Sequence, residues 1–199
     1  QTEFFGIRSN SKCPRDTLED LGRHLQRIHH QDGKRVVLIG QSLGGVYARE
    51  LGARHPQLVE RVITLGSPVR FAMDSSSPMV VALARWIAAV RMKNGCMTES
   101  CPCGLSLAGR DMGEIPTTAI YSRSDGVVHW ESCVDRTGSR LVENVEVTAS
   151  HAGMGINADV YRLIADRLAL AARSPGKPSS GLRVMREQQR RKRAVGSDK

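Results

Sequence analysis

The chain has 199 residues, of which 40% are hydrophobic and 25% are charged, a composition typical of one globular domain with a buried core. Its longest apolar run, residues 79–90, is interrupted by Arg85 and falls short of the roughly 18 residues that a membrane span needs. The formal net charge is +9, but six of those charges come from residues 174–199, so the folded part carries no strong bias toward nucleic acid.

The predicted elements alternate between strands and helices along the chain. Short apolar runs at residues 36–39 and 62–65 predict buried parallel strands, and residues 117–121 and 142–147 predict a third and a fourth strand. Apolar residues at helical spacing predict helices at residues 16–30, 43–55, 79–92 and 157–173. This alternation predicts an α/β fold with a mostly parallel sheet and helices on both faces.

The predicted organisation is one folded core, residues 1–173, followed by a basic tail. An insert at about residues 69–116 separates the second strand from the third. Residues 174–199 are rich in Pro, Gly and Ser and then in Arg, which predicts disorder. A basic tail of this kind can bind nucleic acid or another acidic surface, but a solvated tail is the commoner case, so we do not expect nucleic-acid binding.

A G-x-S-x-G pattern lies between the first predicted strand and the helix after it, at residues 40–44. The pattern alone is weak, because Gly and Ser are common. The context is typical of a nucleophile elbow, a strained turn in which small neighbours let strand and helix approach closely. We therefore predict that Ser42 is a nucleophile. The alternative is an ordinary turn in which the serine caps the helix.

A serine nucleophile needs a base, and sites on parallel sheets lie at the carboxyl ends of the strands. His151 follows the fourth predicted strand and is the predicted base; His129, after the third strand, is its rival. Asp125 also follows the third strand and is the predicted acid that orients the imidazole. Asp74 is the alternative acid, and an ordinary turn aspartate before glycine is the alternative interpretation of Asp125.

Four blocks of sequence resemble the α/β-hydrolase superfamily, and within it bacterial lipase- and esterase-like proteins. The blocks are LIGQSLGG at 38–45, VITLGSP at 62–68, YSRSDGVV at 121–128 and SHAG at 150–153. Their order matches the family's order of serine, acid and histidine, and the resemblance extends over about residues 5–172. It implies hydrolysis of small-molecule or lipid carboxylic esters through an acyl-enzyme, without a cofactor.

The sequence departs from the family's pattern before the elbow. The family's sheet has several strands there, and this sequence has room for about one short element. The early loop that supplies one oxyanion-hole amide has no counterpart, whereas the backbone N–H of Leu43 supplies the other. We interpret the chain as an N-terminally truncated member. Missing strands would leave a bare sheet edge, which favours self-association.

The insert is the place where this fold commonly carries a cap. Met79, Leu83 and Trp86 are predicted to contact the substrate, although an ordinary core helix explains the same apolar pattern equally well. Three cysteines in the insert, Cys96, Cys101 and Cys103, match structural zinc spacing poorly, so we expect free thiols or one disulfide and no metal. The odd total of five cysteines slightly favours the cytoplasm.

The resemblance leaves three functions open. The first is a serine hydrolase of carboxylic esters that uses a Ser-Asp-His triad. The second is a catalytically impaired remnant that keeps the triad without a full site. The third is an acyltransferase or thioesterase, because these enzymes use the same three residues and differ in what accepts or releases the acyl group.

Overall fold

The computed structural model describes residues 2–5, 13–69 and 112–173. Several predictions concern residues outside these ranges and stay predictions. They are the helix at 79–92, the substrate contacts Met79, Leu83 and Trp86, the alternative acid Asp74, the cysteines Cys96, Cys101 and Cys103, and the tail at 174–199.

The four predicted strands and three of the predicted helices are confirmed within the described residues. The strands are β1 (Val36–Gln41), β2 (Val59–Leu65), β3 (Thr117–Tyr121) and β4 (Val142–Glu146). The helices are α1 (Pro14–Asp32), α2 (Leu43–Arg54), α3 (Trp130–Cys133) and α4 (Ala158–Arg173), and a 3₁₀ helix occupies Ala152–Ile156. The sequence did not predict α3, because four residues are too few to show a helical period.

The strands form one sheet in the order β1-β2-β3-β4, and each neighbouring pair is parallel. In the register of the first two pairs, Ile39 lies beside Ile63 and Leu65 beside Ile120. Since all four strands point the same way, the segments that carry Ser42, Asp125 and His151 leave the sheet at its carboxyl edge. This is the edge at which ligands bind in open parallel sheets.

The sheet buries a separate apolar cluster on each face, as a fold with helices on both faces requires. One cluster combines Leu25 of α1 and Tyr47 of α2 with Leu38 and Val62 of the sheet. The other combines Ile63 and Ile120 of the sheet with Met154 of the 3₁₀ helix and Val160 of α4. Helices α1 and α2 therefore cover one face, and α4 with the 3₁₀ helix covers the other.

A buried ion pair fixes α2 to the segment that follows α3. An Arg49 guanidinium nitrogen lies 2.7 Å from Asp135 Oδ2, and the side chains are 6% and 0% exposed. Burial alone would raise the pKa of Asp135, but hydrogen bonds from Thr137 and the charge of Arg49 outweigh it and lower that pKa. Asn144 of β4 also exchanges two hydrogen bonds with the Asp135 backbone, at 2.8 and 2.9 Å. The helix after the elbow is thus connected to the chain between β3 and β4.

Within the described ranges, no helix combines the length and the apolar character that crossing a membrane requires. The longest helix, α1, has 19 residues, and it presents a polar face to solvent.

Candidate active site

Ser42 occupies a strained turn between β1 and α2. Its φ of 53° and ψ of −126° make it the one non-glycine residue with a positive φ among those the structure describes. The Ser42 N–H donates to the Leu65 carbonyl at 2.9 Å, so the turn starts while the chain is still bonded to β2. A serine in this conformation is costly by about 1–3 kcal/mol, and such strain is concentrated at functional sites.

The strain is accompanied by close packing of backbone around the turn. A Cβ added to Gly40 would lie 2.3 Å from the Gly44 carbonyl oxygen and 2.5 Å from the Gly45 nitrogen. One added to Gly45 would lie 2.1 Å from Ser67 Oγ. These approaches explain why the strand and the helix on either side of Ser42 carry glycine, as the sequence pattern predicts for an elbow.

We expect Gly40→Ala to destabilise the protein by about 1–3 kcal/mol, because the new methyl group would overlap backbone atoms that have little room to move. Gly44→Ala is the matched control: an added Cβ there meets no described atom within 4 Å. Urea denaturation of both variants measures the difference. Equal unfolding free energies would show that the turn relaxes to accept the methyl group and that the packing argument is wrong.

The Asp125 side chain is buried just after β3, and both of its carboxylate oxygens are bonded. Oδ1 accepts the N–H groups of Val127 and Val128, at 2.8 and 2.9 Å. Oδ2 lies 2.7 Å from His151 Nδ1, and the Asp125 side chain is 1% exposed. The two backbone donors fix the carboxylate, so its second oxygen has a defined direction toward the imidazole.

His151 lies in the segment between β4 and the 3₁₀ helix, and its side chain is 15% exposed. The Gln41 side-chain amide donates to the His151 carbonyl at 2.6 Å, which brings this segment against the end of β1. The rival His129 is exposed and precedes α3, where its ring centroid lies 6.1 Å from that of Trp130. The structure therefore pairs Asp125 with His151.

Ser42 directly follows Gln41, whose side chain bonds the His151 carbonyl, so the serine and the imidazole are carried by two segments that are in contact. Within the described residues no hydrogen bond joins the Ser42 hydroxyl to His151. Catalytic hydrogen bonds are often long in sites without substrate and tighten when substrate binds. Leu43 is the first residue of α2, so its N–H has no acceptor within the helix. It can therefore donate a hydrogen bond to a negatively charged oxygen at the elbow.

Gly66 and Ser67 border the site, although the sequence indicated no role for them beyond their place in the block at 62–68. Gly66 has a φ of 51°, and a Cβ there would lie 2.8 Å from Asp125 Oδ2 and 3.1 Å from His151 Nδ1. The buried Ser67 hydroxyl donates to the Leu65 carbonyl at 3.1 Å. Their position at the carboxyl end of the strand beside the nucleophile strand was the available signal.

Cys133 is a buried cysteine whose thiol is influenced by the charge of Asp125. Burial and, secondarily, the negative charge of Asp125 raise the pKa of the Cys133 thiol to about 12. The thiol therefore stays protonated at neutral pH and does not act as a nucleophile. Among the described residues, no group of three or more His, Cys, Asp or Glu side chains is arranged to hold a metal ion.

Comparison with known proteins relates the chain to hydrolases. The family model described as "Serine aminopeptidase, S33" matches residues 2–105, which include Ser42 but neither Asp125 nor His151. A bifunctional biotin-biosynthesis protein of Teredinibacter turnerae, BioHC, is 36% identical over 72 residues. That match spans 36% of this chain and 12% of the length of the relative.

Two solved structures illustrate the similarity of fold. A monoacylglycerol lipase of Paleococcus ferrophilus aligns with a TM-score of 0.52 and 14% identity, over 77% of this chain and 76% of that one. A structure from a study of two metagenome-derived lipolytic enzymes, LipS and LipT, aligns with a TM-score of 0.58 and 16% identity, over 82% and 75%. At these identities the comparison shows a shared fold.

Proposed function

Because the chain belongs to the serine aminopeptidase S33 family and has the α/β-hydrolase fold, we propose that it hydrolyses carboxylic esters through an acyl-enzyme. Ser42 is the nucleophile, His151 the general base and acid, and Asp125 the residue that orients His151. The observation that carries the proposal is the 2.7 Å contact between the buried Asp125 carboxylate and His151, whose segment is bonded to the strand that leads into the strained Ser42. The lipolytic activity in the names of similar structures favours esters as the substrate class.

In the first half-reaction, Ser42 Oγ attacks the ester carbonyl carbon while its proton passes to His151 Nε2. Asp125 binds Nδ1–H, which keeps Nε2 free to accept that proton and stabilises the imidazolium that results. The carbonyl oxygen becomes an oxyanion, which the Leu43 N–H stabilises at the N-terminus of α2. The carbon–oxygen bond to the alcohol then breaks, and the alcohol leaves with the proton from His151.

In the second half-reaction, water replaces the alcohol. His151 Nε2 removes a proton from the water, the resulting hydroxide attacks the acyl carbon, and the proton returns to Ser42 Oγ as the acid leaves. No atom changes oxidation state in either half-reaction, so the proposed chemistry calls for no redox cofactor. We further propose that Met79, Leu83 and Trp86 of the insert contact the acyl group, on the strength of their apolar sequence pattern.

We expect a fluorophosphonate probe to form one covalent adduct at Ser42, identified by peptide mass spectrometry. Ser42→Ala should abolish both this adduct and the hydrolysis of p-nitrophenyl butyrate. Ser139→Ala, which changes a loop serine away from the elbow, should leave both intact. Labelling that survives Ser42→Ala would show that another residue is the nucleophile.

The ester assignment needs its own comparison, since the family description names a peptidase. We expect kcat/KM for p-nitrophenyl butyrate to exceed that for an alanine p-nitroanilide, because the anilide presents an amide bond and a free amino group. A preference for the anilide would keep Ser42 as the nucleophile but replace the ester by a peptide as substrate class.

A further inference from the structure

Gln41 connects the nucleophile strand to the segment that carries the base. It is the last residue of β1 and directly precedes Ser42, and its backbone is in register with Leu65 of β2. Its side-chain amide donates to the His151 carbonyl at 2.6 Å, across 110 positions of sequence. The Gln41 side chain therefore connects the end of β1 directly to the segment that carries His151.

Two other hydrogen bonds hold the flanks of this segment, from the Ala149 N–H to Ser122 Oγ at 3.3 Å and from the Tyr161 hydroxyl to the Gly155 carbonyl at 2.7 Å, and the remainder near His151 are local. Ser150 accepts the N–H of Met154 on its carbonyl at 3.1 Å and the N–H of Gly153 on its hydroxyl at 3.2 Å. These bonds shape residues 150–154 internally, and fully buried Met154 packs the far end of the segment against the sheet, which leaves Gln41 as the bond at His151 itself. A Cβ on Gly155 would lie 3.2 Å from Gln41 Oε1, so the 3₁₀ helix also packs against the Gln41 amide.

We propose that Gln41 is a positioning residue that holds the His151 segment against the nucleophile strand. The inference deepens the proposed function and rests on it for the roles of Ser42 and His151. Because Gln41 and Ser42 are consecutive residues of one strand end, the hydrogen bond fixes the base relative to the nucleophile through a single short connection. Asp125 fixes the imidazole of His151, and Gln41 fixes its backbone.

The kinetic test removes the hydrogen bond while keeping the volume of the side chain. Gln41→Met has nearly the same length and no amide, and Gln41→Glu replaces the donor by an acceptor facing the His151 carbonyl. We expect both variants to lower kcat for p-nitrophenyl butyrate about tenfold or more, with KM within about twofold, because small displacements of reacting groups reduce transition-state contacts most. Gln26→Met, on the exposed face of α1, is the matched control and should keep the kcat of the parent chain.

A second readout does not depend on activity. Hydrogen exchange followed by mass spectrometry should show faster exchange in peptides that cover residues 150–156 in both Gln41 variants, with exchange in α1 and β2 unchanged. Gln26→Met should leave residues 150–156 unchanged. Parent-like exchange in these peptides, or parent-like kcat in an active enzyme, would overturn the positioning role.

The two readouts separate this inference from the proposed function. If the parent chain neither hydrolyses esters nor reacts with the fluorophosphonate at Ser42, the proposed function is wrong, and the exchange data alone decide whether Gln41 holds the segment. If the parent chain is active, both the exchange rate and kcat must change in Gln41→Met and in Gln41→Glu. General unfolding of one variant would appear as faster exchange in every peptide, and the other variant then decides.

Discussion

Asp125→Asn is expected to lower kcat for ester hydrolysis on the order of 10⁴-fold, with KM and melting temperature close to those of the parent chain. The substituted side chain still presents an oxygen to the Val127 and Val128 N–H groups, which bind Asp125 Oδ1 at 2.8 and 2.9 Å. Its amide nitrogen then faces His151 Nδ1, where Asp125 Oδ2 lies at 2.7 Å. An NH₂ group at that place donates to Nδ1 and forces the ring proton onto Nε2.

That tautomer explains the size of the expected loss. With the proton on Nε2, the imidazole cannot accept the Ser42 proton, and the charge that would stabilise the imidazolium is absent. Steady-state kinetics with p-nitrophenyl butyrate measures kcat and KM, and thermal denaturation checks the fold. Reaction of Ser42 with the fluorophosphonate should slow as well, because that reaction also needs the base.

Two further aspartates provide the controls. Asp159→Asn changes an exposed residue that pairs with Arg162 on α4, and we expect kcat to stay within about twofold of the parent value. Asp74→Asn tests the alternative acid after β2. If Asp74→Asn is the crippling change and Asp125→Asn is mild, the acid has been assigned to the wrong strand end.

The sequence predicted β1 and β2 well because each contains a continuous apolar run between turns, the pattern typical of a buried parallel strand. Burial is confirmed for residues 62–65 of β2, whereas Ile39 of β1 is 46% exposed among the described residues. The predicted strand at 117–121 coincides with β3, and the others agree to within three residues. The extension of β2 back to Val59 was not visible, because Glu60 and Arg61 interrupt the apolar run. Both side chains are half-buried: Glu60 pairs with Arg35, and Arg61 donates to the Thr118 hydroxyl. Contacts with neighbouring segments therefore set the start of β2.

The candidate site was predictable to the extent that it follows from strand ends. Ser42, Asp125 and His151 follow the ends of β1, β3 and β4 within five residues, and a parallel sheet gathers such positions at one edge. Gln41 and Gly66 were missed because their importance depends on which loop lies opposite them. A glutamine inside the elbow pattern and a glycine after a strand have nothing in their local sequence that identifies the imidazole as their neighbour.

Gly66→Ala is expected to lower kcat on the order of 10²-fold, since the new methyl group would enter the contact between the acid and the base. A Cβ added to Gly66 would lie 2.8 Å from Asp125 Oδ2 and 3.1 Å from His151 Nδ1. Both atoms belong to the hydrogen bond that orients the imidazole. Because Val127 and Val128 fix the carboxylate, we expect the imidazole to move, and a displacement of about 1 Å can cost on the order of 10² in rate.

The backbone adds a separate cost that affects stability. Gly66 has a φ of 51°, a conformation in which alanine is less stable than glycine by about 1–2 kcal/mol. For a chain of this size that cost lowers the melting temperature by about 2–8 °C. Assays well below the melting temperature therefore separate the two effects: kcat reports the displaced base, and thermal denaturation reports the strained backbone.

Gly126→Ala is the matched control for Gly66→Ala, because it adds the same methyl group directly beside Asp125. An added Cβ at Gly126 meets no described atom within 4 Å, and the residue has no positive φ. We expect its kcat to stay within about twofold of the parent value. A Gly66→Ala enzyme that loses stability but keeps its kcat would show that the Asp125–His151 contact tolerates the methyl group. The close approach of β2 to this pair would then serve packing and not catalysis.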